Sequence, residues 1–396
     1  MRVIGMISGT SYDAVEALAV DLELDDTTLV CDLRGHVSSP YPDQVRAAIS
    51  GLLPPHQTTI EQVCRVDTAI GQTFAEVAGR LGEANFGGQT DLVCSHGQTV
   101  FHWVEAGSAL GTLQLGQPAW IAERTGATVV SDVRSRDLTV GGQGAPLASL
   151  LDVLLLGNTA GEVRAALNLG GIANITVVAP GAEPVAYDTG PANALLDAAV
   201  NHLSSGKELY DEAGRRARVG VVDAALLTDL LRDAYYAAAP PKSTGKEHFH
   251  LGYLLAHLEG RTIAPDDLLA TLVALSAETV ANELRRWHVR EVFASGGGTR
   301  NPTLMRELAI RLPGVALKTI DEYGIPSAAK EALVFAIVGF LTLHNLPATV
   351  ASCTGASRST VLGSITPGRA PLLLEERRQM PLRATIRTPL VEVRPS

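Results

Sequence analysis

Hydrophobic and polar positions alternate near the N-terminus in the way that β-strands require. An apolar run ends at Ser8, and strand-like alternation continues through residues 17–24 and 29–33. Helical periodicity then takes over at residues 42–53 and 60–81. The pattern predicts an antiparallel meander of three strands followed by two helices.

The same succession begins again near residue 165. A strand, the Gly170-Gly171 turn, a second strand and a third strand ending at Asp188 repeat the order seen at the N-terminus. A mostly helical stretch at residues 193–287 follows, then a strand at 291–294 and a helix start at Asn301-Pro302, where Asn suits the N-cap and Pro the first turn. Two halves with the same opening predict a duplicated domain.

Length and composition agree with this organisation. The chain has 396 residues, more than one hydrophobic core usually serves, so we expect two domains. We place an N-terminal lobe at 1–160, a C-terminal lobe at 161–370 and a peripheral extension at 371–396. Apolar residues make up 46%, aromatic residues only 5%, and glycines number 38, which favours an α/β enzyme with many tight turns.

Charge and cysteine content exclude several classes of protein. A net charge of −10 argues against a nucleic-acid-binding protein, and the basic stretch 215–218 is typical of a solvated helix end. The four cysteines are far apart and form no Cys-x-x-Cys pair, so we expect neither zinc nor disulfides, and a reducing cytoplasm. The start lacks the features of a signal peptide, and the longest apolar stretch, 332–343, is too short to span a membrane.

The turn after the first strand carries the first chemical signal. Gly9 permits close approach of an anion to the backbone, Thr10 and Ser11 add hydroxyl donors, and Asp13 can face a metal ion. An ordinary hairpin turn is the alternative, because Gly and Ser are common turn residues. The turn therefore predicts a phosphate loop only in combination with other signals.

Further glycine turns supply that combination. The chain lacks the Walker sequence and the Gly-x-Gly-x-x-Gly fingerprint, which disfavours a Walker-type NTPase and a dinucleotide dehydrogenase. Its strand-end turns, at residues 8–11, 170–171, 188–190 and 296–298, resemble in order the phosphate and adenosine loops of the acetate and sugar kinase, Hsp70 and actin superfamily.

Longer motifs narrow the resemblance. The chain resembles the anhydro-N-acetylmuramic acid kinase family over nearly its whole length. The resemblance implies a two-lobed actin-like ATPase (ribonuclease H-like) α/β fold, with duplicated mixed-sheet domains and an interlobe cleft. The motifs are GMISGTSYD at 5–13, SHGQT at 95–99, DVRSRD at 132–137, GGQGAPL at 141–147, LNLGGIAN at 167–174, DTGPAN at 188–193, PKSTGKE at 241–247 and KEA at 330–332.

The resemblance also implies an activity. Members of this family use ATP and water to open the 1,6-anhydro ring of 1,6-anhydro-N-acetylmuramic acid and phosphorylate O6, in the recycling of cell-wall peptidoglycan. Asp188 would be the base that takes a proton from water. The alternative for Asp188 is a carboxylate that caps the turn before Gly190-Pro191. The resemblance further implies a homodimer that binds neither nucleic acid nor membrane.

The implied binding residues fall into two sets, each with alternatives. Instead of binding sugar, Arg134 and Arg136 could pair with Asp132 or Asp137, and His96 could be a satisfied buried histidine. Instead of binding ATP, Asn301 could be a plain N-cap. Glu331 suits a helix N-terminus whatever its function. Magnesium is expected with ATP, and Asp13 is the candidate ligand. The ATP-binding set is Gly9, Thr10, Ser11, Tyr12, Asp13, Ala14, Val15, Glu16, Gly170, Gly171, Gly296, Gly297, Gly298 and Asn301. The sugar-binding set is His96, Gln98, Arg134, Arg136, Asn174 and Glu331.

Three positions depart from the family pattern. Ala14 stands where glycine is usual and Glu16 where aspartate is usual, so the first turn must keep an ordinary backbone conformation at residue 14. Lys246 replaces a common arginine and exchanges a planar fork for a point charge. Two other functions stay open: a kinase for another anhydro sugar such as levoglucosan, and an actin-like or Hsp70-like conformational ATPase.

Overall fold

The computed structural model describes residues 1–157, 161–240, 242–372 and 379–390. Within these residues the strands are β1 Arg2–Ser8, β2 Ala14–Asp25, β3 Thr28–Pro40, β4 Leu92–Glu105, β5 Ser108–Leu115, β6 Thr128–Ser131, β7 Arg164–Leu169, β8 Ile172–Val178, β9 Val185–Pro191, β10 Glu291–Ser295, β11 Ala316–Thr319, β12 Ser364–Thr366 and β13 Arg383–Thr388.

The helices alternate with these strands and cover most of 193–286. None of those in the described ranges is long and apolar enough to cross a bilayer. They are α1 Asp43–Leu52, α2 Ile60–Phe86, α3 Pro118–Thr125, α4 Ser135–Leu138, α5 Ser149–Leu156, α6 Asn193–Leu203, α7 Arg215–Val219, α8 Ala224–Leu230, α9 Ala234–Ala237, α10 Leu251–Leu258, α11 Pro265–Arg286, α12 Pro302–Arg311, α13 Lys330–Leu343 and α14 Ala351–Thr354.

The chain folds as two compact units. The first unit comprises Met1–Gly157 and Tyr323–Ser396, and the second comprises Asn158–Glu322. The first boundary lies close to the one expected from the sequence, at 160. The division after residue 322 differs from the expectation, because residues 323–370 pack with the first unit and not with the second.

Each unit is built on a mixed sheet, and five strands have the same order in both: β6-β4-β1-β2-β3 in the first and β11-β10-β7-β8-β9 in the second. In the first unit the strands follow β12-β6-β4-β1-β2-β3-β13, with β5 beside β4, and in the second β11-β10-β7-β8-β9. In both sheets an antiparallel meander (β1–β3 and β7–β9) joins two parallel strands (β4 and β6, β10 and β11). The duplicated, ribonuclease H-like topology of the actin-like fold is therefore confirmed.

Helix α13 explains why the chain returns to the first unit. Its residues are almost all buried and apolar, so it needs contacts on every side. It packs so closely on β1 that a side chain at Gly5 would meet the carbonyl oxygen of Ala332. The sequence predicted this helix, at residues 332–343, but placed it in the second lobe.

The C-terminal residues are also part of the first sheet. Strand β13 pairs in parallel with β3, and Arg387 and Thr388 both donate hydrogen bonds to the buried carboxylate of Asp32. The expectation of a peripheral extension at 371–396 is thus replaced, for the described residues 383–388, by an edge strand. Residues 373–378 and 391–396 of that extension lie outside the described residues.

Candidate active site

The loop between β1 and β2 is the predicted phosphate turn. Gly9, Thr10 and Ser11 are exposed, and the amide of Tyr12 donates to the carbonyl of Gly9 at 3.1 Å. The positive φ of this turn, 43°, lies at Tyr12, while Ala14 already belongs to β2. The turn therefore keeps an ordinary backbone conformation at residue 14, as the alanine requires.

Gln98 holds this turn from the neighbouring strand. Ser8 and Gln98 are paired across β1 and β4, and the Ser8 hydroxyl donates to Gln98 Oε1 at 2.6 Å. Gln98 Nε2 donates to the carbonyls of Gly9 and Thr99, each at 3.1 Å. Both ends of this fully buried amide are therefore occupied within the protein, which favours a role in fixing the turn over a role in binding sugar.

His96, also on β4, is buried and hydrogen-bonded at both ring nitrogens. Nδ1 lies 3.0 Å from the carbonyl of Gly97, and Nε2 lies 2.7 Å from Arg134 Nε. Because the guanidinium can only donate, Nε2 accepts and the proton is on Nδ1. Burial and the Arg134 charge lower the pKa of His96 to about 3. The ring is therefore neutral. Both nitrogens have partners within the protein, which agrees with the alternative of a satisfied buried histidine.

Arg134 is the N-cap residue of the short helix α4, directly after β6. Burial lowers its pKa, which the Glu331 carboxylate partly opposes. Asp132 accepts from Ser135, and Asp137 accepts from Gly144 and Thr354, so neither takes up the arginine. Within the described residues no carboxylate lies at ion-pair distance from this guanidinium.

Arg136 lies on the same helix, but its side chain is exposed. Among the described parts of the chain it has no ion pair with Asp132 or Asp137. The structure therefore separates the two predicted arginines by environment: Arg134 is largely enclosed and held by a histidine, and Arg136 projects into solvent.

Glu331, on the first turn of α13, belongs to the same cluster as Arg134. Desolvation by the surrounding protein raises the pKa of Glu331. The positive charges of Lys330 and Arg134 oppose this shift, and the negative charge of Glu16 adds to it. Glu16 lies on β2 and accepts from His36 and Ser38. Within the first unit Glu331 therefore lies in electrostatic range of both Arg134 and Glu16.

The rest of the predicted ATP set in this unit is mixed. Val15 is fully buried in the core and can offer a ligand only its backbone. Asp13 is exposed and paired with Arg46 at 2.7 Å. In the described residues no group of three or more His, Cys, Asp or Glu side chains could hold a metal ion. One exposed carboxylate suits a magnesium ion that arrives bound to phosphates better than a resident metal.

In the second unit, the Gly170-Gly171 turn is tied to the start of α6. The amides of Ala192 and Ala194 donate to the carbonyl of Gly171, and the Asn193 side chain donates to that of Gly170 at 2.8 Å. The carbon chain of Lys246 crosses this turn, since a Cβ built on Gly171 would lie 3.0 Å from Lys246 Cε. The side chain of Lys246 therefore lies beside the Gly170-Gly171 turn.

Asp188 lies within β9, opposite the predicted sugar-binding residue Asn174 of β8. The sequence predicted that this strand ends at Asp188, but it continues to Pro191. Oδ2 of Asp188 accepts from the Ser243 hydroxyl and from the amide of Thr244, each at 3.0 Å. Burial and Glu247 raise its pKa, and the Ser243 and Thr244 hydrogen bonds oppose that shift.

Asp188 also uses its backbone, so its position is fixed from several sides. Its amide donates to the carbonyl of Lys242 at 3.1 Å, and its carbonyl accepts from the Tyr235 hydroxyl at 2.6 Å. No hydrogen bond from the described residues reaches Oδ1. The carboxylate therefore presents one oxygen without a protein donor, as a general base must.

The third glycine cluster follows β10. A Cβ at Gly296 or Gly298 would meet Asn168 or Leu169, whereas a Cβ at Gly297 would meet nothing within 4 Å. Asn301 is buried, and its Oδ1 accepts from the amides of Thr303 and Leu304 as the N-cap of α12. Packing explains two of these glycines and capping explains Asn301, so Gly297 is the position most open to a ligand.

The structure thus joins Gly9, Gln98, His96, Arg134 and Glu331 in one unit. In the other unit it brings Asn174 opposite Asp188 and the glycine clusters to the ends of β7 and β10. The sequence missed the residues around Asp188, namely Tyr235, Lys242, Ser243 and Thr244. The last three belong to the motif at 241–247, which was the available signal, and Pro241 of that motif lies outside the described residues.

Comparison with known proteins gives a consistent result. A family model described as anhydro-N-acetylmuramic acid kinase matches residues 1–368. A protein of that name from Streptomyces coelicolor is 59% identical over 377 residues, covering 95% of this chain and 96% of the relative. The one from Rhodococcus erythropolis is 54% identical and covers 93% and 94%, and the one from Salinibacter ruber is 38% identical and covers 92% and 96%.

Solved structures match at a lower level. The activator of the 2-hydroxyisocaproyl-CoA dehydratase from Clostridium difficile with bound ADPNP is similar with a TM-score of 0.40 and 15% identity, over 86% of this chain and 94% of that chain.

Proposed function

The chain belongs to the anhydro-N-acetylmuramic acid kinase family, and on that premise we propose that it converts 1,6-anhydro-N-acetylmuramic acid, ATP and water to N-acetylmuramic acid 6-phosphate and ADP. The observation that carries the proposal is the state of Asp188. One carboxylate oxygen is held by Ser243 and Thr244, and the other has no donor among the described residues.

The proposed reaction uses that second oxygen as a base. Asp188 takes a proton from a water molecule while the water oxygen bonds to C1 of the sugar. The C1–O6 bond breaks, and O6 attacks the γ-phosphorus of ATP, from which ADP leaves. The proton is later released from Asp188 to solvent. Since the leaving group of one step is the nucleophile of the next, rate depends mainly on alignment.

The raised pKa of Asp188 supports this role. A base works best when its pKa approaches the operating pH, because its conjugate acid then holds the proton more strongly. Burial moves Asp188 in that direction, and Glu247 adds to the shift. The two hydrogen bonds from Ser243 and Thr244 limit this shift.

The glycine turns are proposed to bind MgATP, the second substrate. Gly9 and Gly297 have open space where a Cβ would stand, which lets a ligand approach the backbone. Lys246, beside the Gly170-Gly171 turn, offers a positive charge to phosphate oxygens. The magnesium ion that accompanies ATP would neutralise phosphate charge, and Asp13 of the first turn is proposed as its carboxylate ligand.

Arg134 is proposed to bind the lactyl carboxylate of the sugar. Its guanidinium is largely enclosed, is held through Nε by His96, and has no ion-pair partner among the described residues. An arginine in that situation favours an incoming carboxylate, which the fork of Nη atoms can meet with two hydrogen bonds. Glu331 is proposed to accept from a sugar hydroxyl.

Turnover with MgATP and two sugars tests the proposal. We expect formation of the sugar 6-phosphate and ADP from 1,6-anhydro-N-acetylmuramic acid, and much slower turnover of levoglucosan, which lacks the lactyl carboxylate. Recovery of unphosphorylated sugar from protein that binds ATP would overturn the assignment. Faster turnover of levoglucosan would move it to another anhydro sugar.

The biological setting is proposed from the family resemblance alone. The substrate is a fragment of peptidoglycan, which supports a role in cell-wall recycling in the cytoplasm. The same resemblance supports a homodimer. Sedimentation velocity measures the oligomeric state directly, and a monomer at micromolar concentration would contradict the dimer.

A further inference from the structure

A buried ion pair includes Lys242, whose carbonyl accepts from the Asp188 amide. Lys242 Nζ is 2.7 Å from Glu283 Oε1, and the two side chains are only 4% and 8% exposed. The ammonium also donates to the carbonyls of Tyr236 at 3.2 Å and Tyr235 at 3.4 Å, which accounts for its three N–H groups. The Lys242 ammonium is thus buried, and all three of its N–H groups have acceptors within the protein.

The second oxygen of Glu283 binds a different part of the unit. Oε2 accepts from the Tyr187 hydroxyl at 2.9 Å, and Trp287 Nε1 donates to the same hydroxyl at 2.7 Å. Glu283 lies on the long helix α11, and Tyr187 lies on β9. The Glu283 carboxylate therefore connects helix α11 both to Lys242 and to strand β9.

Both of these attachments lead to Asp188. Tyr187 precedes Asp188 in β9, so it fixes the strand that carries the proposed base. Lys242 begins the segment 242–244, whose three residues each contact Asp188: the carbonyl of Lys242 accepts from its amide, and Ser243 and Thr244 donate to Oδ2. Glu283 is the point at which the two attachments meet.

We infer that Glu283 is a positioning residue for the reaction: through Lys242 and Tyr187 it holds segment 242–244 and β9 together, so that the Asp188 carboxylate keeps one fixed orientation. The inference rests on the proposed function, because it assumes that Asp188 is the base. Two of the residues concerned, Glu283 and Tyr187, lie outside the motif at 241–247.

Stability by itself does not explain this arrangement. Burying two charges costs several kcal/mol in desolvation, and apolar replacements of buried pairs are often neutral or stabilising. A carboxylate that must point one oxygen at a water molecule needs a rigid support, because an error of about 1 Å can cost about 100-fold in rate. Orientation of the base is the gain that the ion pair provides.

The test compares two double variants. Lys242→Met with Glu283→Gln removes the ion pair without leaving an unpaired buried charge. Arg164→Met with Glu291→Gln removes another ion pair of the same unit, at the first residues of β7 and β10 and so at the opposite strand ends from Gly170 and Gly296. Tyr187→Phe and Lys242→Arg serve as mild variants, the first deleting one hydroxyl and the second keeping the charge.

We expect the Lys242/Glu283 variant to lose about tenfold or more in kcat, with the KM for ATP nearly unchanged. The acid limb of its pH profile should move to higher pH, because the Ser243 and Thr244 hydrogen bonds that favour the ionised Asp188 are weakened. Tyr187→Phe should show the same changes to a smaller extent, and Lys242→Arg, which keeps the charge, should retain most of the wild-type rate. The Arg164/Glu291 variant should keep the wild-type kcat and pH profile.

A measurement independent of turnover separates this inference from the proposed function. The carboxyl carbon of Asp188, assigned by its loss in Asp188→Asn, is titrated by NMR in the wild-type protein and in the same variants. Its pKa should rise in the Lys242/Glu283 variant and stay constant in the control; besides Asp188, the nearby titrating side chains are Glu247 and Tyr235. An unchanged kcat and an unchanged pKa would overturn the inference. A wild-type protein without turnover would overturn the function, and the NMR titration would still decide the positioning.

Discussion

At the scale of single residues, Asp188 lies where burial opposes its ionisation. The pKa of Asp188 is above the ordinary value of an aspartate, so its ionisation lowers the free energy of unfolding. This loss begins as pH rises past the ordinary pKa of an aspartate and is complete above the raised pKa of the folded protein. In the proposed mechanism turnover needs this carboxylate ionised, so the proposed role of Asp188 opposes stability. Such a conflict is typical of functional residues.

The substitution Asp188→Asn separates these two effects. We expect kcat to fall by at least about 100-fold, because the base is lost. ATP affinity should stay near wild type, and the free energy of unfolding at neutral pH should be unchanged or higher, because an amide can accept the same hydrogen bonds without the cost of a buried charge. Steady-state kinetics, calorimetric ATP titration and urea unfolding measure the three quantities. Turnover close to wild type would contradict the role of Asp188.

His96 predicts a pH dependence of stability. Its pKa is about 3 in the folded protein and about 6.5 when unfolded, so its contribution is complete above pH 6.5 and is lost as pH falls toward 3. Between pH 7.5 and pH 5 the wild-type protein should therefore lose about 2 kcal/mol that His96→Gln, which keeps an acceptor for Arg134, does not lose. Urea unfolding of both proteins at the two pH values checks this. Equal losses would show that His96 is protonated in the fold.

At the scale of elements, two glycines of the first strand and turn have opposite surroundings. A Cβ at Gly5 would lie 1.9 Å from the carbonyl oxygen of Ala332 in α13, whereas at Gly9 the nearest atom is 4.0 Å away. The first glycine serves the packing of β1 on α13, and the second leaves room beside the turn.

Alanine at each position tests this difference. Gly5→Ala should lower the free energy of unfolding by about 1–3 kcal/mol or prevent folding, because backbone must move. Gly9→Ala should leave the melting temperature within about a degree and raise the KM for ATP, since the methyl group occupies the space proposed for phosphate. Thermal melts and ATP-dependent kinetics give both answers. A Gly9→Ala protein with wild-type ATP kinetics would remove the turn from the nucleotide site.

The elements themselves were largely predictable, because their signals are local. Alternation and glycine turns predicted β1–β3 and β7–β9, and Asn301-Pro302 predicted the start of α12. The partners of polar side chains were not predictable. The sequence predicted Gln98 and His96 as sugar-binding residues, with a satisfied buried histidine as the alternative for His96, but it did not indicate their partners. Gln98 bonds to Ser8 of strand β1, and His96 bonds to Arg134, which follows strand β6. Only the sheet order brings these residues together.

At the scale of the whole molecule, residues far apart in the chain complete the first unit. Strand β13 extends its sheet beside β3, and Arg387 lowers the pKa of the buried Asp32 carboxylate to about 2. This pairing could not be predicted from the sequence, because the partners are more than 350 residues apart and the terminal segment looks polar. Residues 323–370 were assigned to the second lobe because the packing of α13 on β1 also joins residues more than 300 apart in the chain.

Removal of residues 379–396 tests the importance of this edge strand. We expect a lower melting temperature, because β3 loses its neighbour and Asp32 loses Arg387. Arg387→Met, which keeps the strand, should lose less. Since Asp32 has a depressed pKa, the difference between wild type and Arg387→Met should be full above about pH 4 and shrink as pH falls toward 2. A truncated protein that melts like wild type would make the strand dispensable.

The most direct test of the whole account is a single turnover in ¹⁸O-labelled water. Protein in excess over 1,6-anhydro-N-acetylmuramic acid is mixed with MgATP, and the sugar phosphate is analysed by mass spectrometry with fragmentation. The proposed mechanism predicts one ¹⁸O at the C1 hydroxyl and none in the phosphate, because water attacks C1 and O6 attacks phosphorus. Label in the phosphate, or formation of ADP and phosphate without sugar phosphate, would contradict it.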